Sequence, residues 1–179
     1  IGQEIQAVPW QNECVIKEKV MSLIIDTLKS STITAELSDA EVEILASLFE
    51  VRDYQAGAAI VKQGDEHPDN LYILAHGDIE VKIRSGTEES TIYILKAGDL
   101  AGIINFVGGA QSSATLYAVG NTKVLSLGRA RFETLINSHP MMVYKVMRGV
   151  VRNVHGIVRR VNSETAELSN YIYRARGRY

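Results

Sequence analysis

Hydrophobic and polar positions divide this chain into three textures. From Asn12 to Leu28, Val15, Val20, Leu23, Ile24 and Leu28 recur at helical spacing while Lys17, Glu18 and Lys19 fall on the other side, which predicts an amphipathic helix. The polar, β-branched stretch from Ser30 to Thr34 ends it. Ser38 followed by Glu41 has capping-box spacing, because hydroxyl and carboxylate can each satisfy the other's free backbone N–H. That pair opens a second helix through Leu45, Leu48 and Phe49. After Val51 the apolar runs shorten, gain β-branched and aromatic residues, and are stopped by Gly and Asp, the texture of an antiparallel β unit. The expected strands are Ala59 to Lys62, Leu71 to Leu74, Ile79 to Ile83, Thr91 to Leu95, Ala114 to Ala118 and Lys123 to Leu127.

Two segments nearly repeat, 71–79 and 92–100, set 21 positions apart. Each reads as a strand running into a Gly-Asp turn (Gly77-Asp78, Gly98-Asp99), so the repeat predicts equivalent corners of a roll. From Arg129 the helical period returns through Phe132, Leu135 and Ile136, then resumes after His139-Pro140 in one long segment. There Val143, Met147, Val150, Val154, Ile157 and Val161 alternate steps of four and three, a heptad seam suited to meeting the same helix of a second chain. Val146, Val151 and Val158 widen the stripe, so one face is expected on the roll; the alternative is that the whole stripe packs within the chain.

The fold class is therefore mainly β with flanking helices: an antiparallel β-roll, or jelly roll, preceded by helices and followed by a long dimerisation helix. The expected boundaries are a helical extension over 1–37, the roll with flanking helices over 38–138, the long helix over 139–169 and a basic tail over 170–179.

Composition narrows the chemistry. The chain has 179 residues and a net charge of −2, from 19 Lys and Arg against 21 Asp and Glu, so no broad cationic excess marks a dedicated nucleic-acid or membrane-surface binder. No run approaches the ~20 apolar residues of a membrane helix. The single Cys14 excludes an internal disulfide and points to a reducing, cytoplasmic setting. With Ile rather than Met at position 1, the expectation is of a domain whose numbering begins inside a longer product, so the sequence neither shows nor excludes an upstream targeting peptide.

The string Phe49-x4-Tyr54-x-Ala56-Gly57-x2-Ile60-x2-Gln63-Gly64-Asp65, followed by Leu71-Tyr72-Ile73-Leu74-x2-Gly77-x-Ile79-x-Val81, resembles the cyclic-nucleotide-binding domain family. Leu95-x2-Gly98-Asp99-x2-Gly102 and then Ser113-Ala114-Thr115 continue the resemblance, which spans about residues 38 to 165 and is similar in order to bacterial sensors of the catabolite-activator and fumarate-nitrate-regulator type. The resemblance implies a phosphate-binding cassette in which a short helix offers N–H donors, a Glu after the Gly accepts from the ribose, and an Arg before a small pair neutralises the phosphate. Carried onto this chain, the Gly is Gly102, the Glu falls on Ile103, and the Arg falls on Gln111 or Ser112, with Ser113-Ala114 as the small pair. Both charged anchors are absent. At about 1.5–3 kcal/mol for each charge-assisted bond, losing both weakens a cyclic nucleotide by roughly two to four powers of ten. A cyclic nucleotide is thus disfavoured, and no cofactor is expected.

The candidate ligand-binding residues are Leu100, Gly102, Ile103, Ser112, Ser113 and Ala114, with Gly108-Gly109 as further N–H donors for a weakly held anion. Histidines 67, 76, 139 and 155 show no metal-ligand spacing. His76 reads as a solvated corner residue, because a lone His with a distant Cys14 does not make the haem site some relatives carry; His155 reads as solvated or at an interface rim. The Asp residues after each Gly read as turn acceptors, and no nucleophile–base pair or phosphate loop is present, so no catalytic or metal residue is assigned. The tail from Tyr171 reads as a solvated end rather than a nucleic-acid contact, and too little chain follows the seam for a helix-turn-helix. The expected function is a sensory module that takes a small-molecule effector and works as a homodimer. The alternatives are a purely structural dimerisation or docking domain with a filled pocket, and the effector domain of a transcription regulator.

Overall fold

The computed structural model describes residues 9–65, 69–109 and 111–176. Helices α1 (Pro9–Ser30) and α2 (Asp39–Ala46) flank a 3-10 turn at Thr32–Thr34. The capping box forms as the sequence indicated: the Glu41 N–H donates to the Ser38 hydroxyl at 3.3 Å, and the Ser38 N–H donates to the Glu41 carboxylate at 2.8 Å. α2 stops at Ala46, short of the expected Leu48 and Phe49, because two tight backbone bonds, from Leu48 to Leu45 and from Phe49 to Ala46, turn the chain towards the sheet.

Six strands follow: β1 (Glu50–Tyr54), β2 (Ala59–Val61), β3 (Asn70–Ser85), β4 (Glu88–Leu95), β5 (Leu100–Ala101) and β6 (Thr115–Gly128). Helix α3 (Ile103–Gly108) bridges β5 and β6; α4 (Arg129–Glu133), α5 (Leu135–Ser138) and α6 (Pro140–Arg176) close the order. All pairings are antiparallel, in the order β1-β6-β3-β4, with β2 on β6 and β5 on β3.

Two expectations need correction here. The separate strands expected at 71–74 and 79–83 are one strand, β3, and those at 114–118 and 123–127 are one strand, β6. Gly77 is not a hairpin corner but a bulge, where the register of β3 against β6 shifts on either side of His76. Only glycine fits there: φ is +87°, and a Cβ would lie 2.9 Å from both the Asn121 carbonyl oxygen and Thr122 Oγ1. Gly98, its partner in the near-repeat, does sit in a turn, its N–H donating to the Leu74 carbonyl at 2.8 Å while the Asp99 carboxylate accepts from the Lys96 N–H. The two corners are therefore not equivalent.

Alternation along β3 builds two cores. Leu71 and Ile73 face the helices and are buried with Ile24, Leu28, Leu45, Phe132, Val146 and Val150, while Tyr72, Leu74 and Ile79 face the inside of the roll with Val61, Leu95, Leu116 and Val124. α6 meets the 3-10 turn backbone to backbone at Gly149, where a Cβ would lie 2.5 Å from the Ile33 Cα. Ion pairs reinforce the contact: Glu36 with Arg148 and Arg152, and Glu41 with Lys145. α6 continues to Arg176, so the segment expected as a tail from 170 is helical over most of its length. Among the described residues, no helix is long and apolar enough to cross a membrane.

Candidate functional site

The sequence-predicted cassette lies on β5, α3 and the loop into β6. Gly102 starts α3 in a left-handed conformation at φ +75°, and a Cβ there would approach the Asn70 carbonyl oxygen to 2.5 Å, so the chain turns tightly over Tyr72. This turn aims the side chains that follow. Leu100 and Ile103 are buried in the helical core at 4% and 8% exposure, beside Phe106, whose ring meets Phe132 at 5.5 Å. Ile103, the position onto which the resemblance carries the ribose-binding carboxylate, thus has its side chain committed to packing.

Ser112 is half-buried, Ser113 exposed and Ala114 half-buried. The Ser112 hydroxyl donates to the Ala114 carbonyl at 2.9 Å, its carbonyl accepts from the Gly64 N–H at 2.8 Å, and its own N–H donates to the Asp65 carbonyl at 3.3 Å. Gln63 adds a bond from its N–H to Thr115 Oγ1 at 3.0 Å. The loop is thus stitched to the turn after β2 by bonds between neutral groups. The guanidinium of Arg129 does approach α3, lying 3.2 Å from where a Gly109 Cβ would be, but it is ion-paired with Asp69.

Inside the roll the walls are apolar. Val61, Leu95 and Leu116 are buried, with Val81, Tyr93 and Ala101 half-buried around them. Burial also pushes the Tyr72 phenol up from its ordinary value, Asn70 opposing through a hydrogen bond. A shallow depression of about 330 Å³ lies elsewhere, lined by Glu80, Lys82, Glu89, Tyr117 and Val119. Glu80 and Lys82 alternate with the inward Ile79 and Val81 on β3, and Tyr117 follows the inward Leu116 on β6, which puts these side chains on the outer face.

The heptad seam divides along α6. Val150 is 3% exposed, and Val143 and Met147 pack against the same helical core, so these three are engaged within the chain. Val154, Ile157 and Val161 are exposed, together with Val151 and Val158. The sequence reading missed Arg160, whose guanidinium lies 3.8 Å from the centroid of the Tyr93 ring, and Thr115. An Arg on a helix and an aromatic 67 positions earlier within a strand give no pattern that links them.

His76 and His155 are exposed, and His139 sits 3.0 Å from the Ser138 hydroxyl; His67 lies outside the described residues. No group of three metal-ligating side chains occurs among the described residues.

Comparison with known proteins places this arrangement. Residues 51–139 match the family described as cyclic nucleotide-binding domain. The Cyclic AMP receptor protein of Thermus thermophilus is 29% identical over 128 residues, 71% of this chain and 59% of that protein. A cAMP-dependent protein kinase regulatory subunit of Eremothecium gossypii is 30% identical over 111 residues, 62% of this chain and 23% of that protein. The chain thus spans only part of these relatives. Among solved structures, a cyclic nucleotide-binding domain from Methylobacillus flagellatus superposes with a TM-score of 0.73 at 20% identity, covering 82% of each chain, which bears on the fold alone.

Proposed function

From the premise that residues 51–139 of this chain belong to the cyclic nucleotide-binding domain family, we propose that it is a non-catalytic regulatory module whose roll has given up the ion pair with a cyclic phosphate. The observation that carries this reading is the state of the two anchor positions. Ile103 is packed in the helical core, and the Ser112 hydroxyl is spent on the Ala114 carbonyl. A phosphate buried there would lack a counter-charge, which is costly in an apolar setting. The module works as a homodimer through the exposed half of α6, in a reducing cytoplasmic setting.

Calorimetric titration with cyclic AMP and cyclic GMP tests the cassette. The wild type is expected to bind neither at micromolar strength. Ser112→Arg, at a half-exposed loop position, is expected to tighten cyclic AMP by about ten- to a hundred-fold, the worth of one charge-assisted bond. Micromolar binding by the wild type sinks the proposal.

A second reading is favoured by the interior packing. With Val61, Leu95 and Leu116 meeting inside the roll, the domain serves only dimerisation or docking. Thermal-shift measurements against small-molecule ligands separate the two, since a specific ligand raises the melting temperature by mass action and a filled roll gives no shift.

A further inference from the structure

The apolar stripe of α6 does not end where its pattern is first broken. Steps of three and four lead from Val154 through Ile157 and Val161 to Glu164, and then to Leu168 and Tyr171, so one carboxylate stands in line with apolar residues. Val154, Ile157 and Val161 are exposed at 36%, 38% and 51%, Tyr171 at 74%, and Glu164 is exposed with them. The first three make little more than one heptad, which is too short to keep two helices together. Carrying the contact on to Tyr171 more than doubles it, and doing so closes the pair over Glu164.

The charged neighbours leave that carboxylate uncompensated. Glu164 takes part in no ion pair among the described residues. One turn before it, the Arg160 guanidinium lies 3.8 Å from the centroid of the Tyr93 ring, which draws that cation towards the roll. Glu167, one turn after it, has the same sign, and Arg159 falls on the side of the helix opposite the stripe. A second copy brings the same groups to face it: its own Glu164, with its Arg160 and Glu167 alongside. Enclosure among apolar residues disfavours a charged carboxylate, and a like charge across the seam adds repulsion.

Resting on the reading that α6 joins two copies of this chain, we infer that the joining surface runs from Val154 to Tyr171 and that Glu164 makes it strengthen in acid. The dimer holds protons at Glu164 that the separated chains release. Falling pH therefore favours association, the direction required when the associated state binds more protons. At neutral pH the same carboxylates keep the association weak and reversible.

Sedimentation equilibrium of the full chain at about pH 7.5 and about pH 5.5 tests this, the lower value lying above the ordinary glutamate range. The wild-type dissociation constant is expected to fall about ten-fold at the lower pH. Glu164→Gln is expected to associate about ten-fold more tightly than wild type at the higher pH and to lose most of the pH response. Glu164→Leu should be tighter still at both. Histidines change charge in the same range, and His155 is kept in every variant, so the difference between proteins isolates Glu164. Glu164 is exposed in the single chain, so melting curves at low protein concentration should match. A wild-type dimer indifferent to pH, an equal pH response in Glu164→Gln, or a weaker dimer in Glu164→Leu overturns the inference. Val154→Glu combined with Val161→Glu keeps the two ideas apart. A dimer that survives both changes, or no dimer in any of the proteins, defeats the α6 reading and this inference with it, whereas a dimer that they abolish but that pH leaves unchanged defeats the role of Glu164 alone.

Discussion

One carboxylate, that of Glu41, ties the start of α2 to α6. It accepts from the Lys145 ammonium at 2.8 and 2.9 Å and from the Ser38 N–H at 2.8 Å, and those donors, Lys145 foremost, hold its carboxyl down to about 2. A group whose pKa is lower folded than unfolded stabilises the fold above its unfolded value and loses that contribution as pH falls. Urea denaturation across a pH series should therefore show stability declining from about pH 5 down to about 2, with a flatter decline in Glu41→Gln. Equal slopes in the two proteins would remove Glu41 from the acid response. The capping half of this arrangement was legible, because serine and glutamate three residues apart report on each other. Its Lys145 half was not, since 104 residues separate the partners.

Among elements, the contact between α6 and the 3-10 turn sets how the N-terminal helices sit. Gly149→Ala poses two effects against each other. Alanine improves helix propensity by up to about 1 kcal/mol, but its Cβ would collide with the Ile33 backbone, and overpacking of this kind costs about 1–3 kcal/mol. The collision is with backbone, which cannot rotate away, so the expected result is a net loss of stability in chemical denaturation. A more stable variant would show that the contact can relax. Nothing in the sequence marked Gly149, because a glycine inside a helical pattern reads only as a weak helix former.

Strand boundaries show the same limit of pattern reading. A glycine that lets a strand bulge and one that lets a chain turn look alike in sequence, so β3 and β6 were each read as two strands. β1 escaped notice because Glu50, Arg52 and Asp53 interrupt the apolar alternation that marks a strand. The cassette was locatable from its glycines, yet the direction of the Ile103 side chain depends on the left-handed turn at Gly102, which only the folded chain displays.

For the whole molecule, the heptad periodicity of α6 was legible from Val143 to Val161 but could not say what covers it. The first half is filled by the chain's own core, where burying a valine contributes about 1.5–3 kcal/mol, so charges introduced there would test folding rather than assembly. Val154 and Val161 are the suitable probes. Glu at both positions should weaken a dimer by at least about ten-fold in sedimentation equilibrium, through desolvation and like-charge repulsion across the seam. The melting temperature extrapolated to low protein concentration should hold. An unchanged dimer population excludes this stripe as the interface.

β3 and β6 each run the full length of the roll: their inner halves bind β1 and β5, their outer halves β2 and β4. Both ends of the roll therefore hang on the same two strands, so a substitution that loosens β3 or β6 acts on the pairings at each end. The far part of α6 shares no ladder with either strand, so its amides are expected to exchange hydrogen faster than those of β3 and β6.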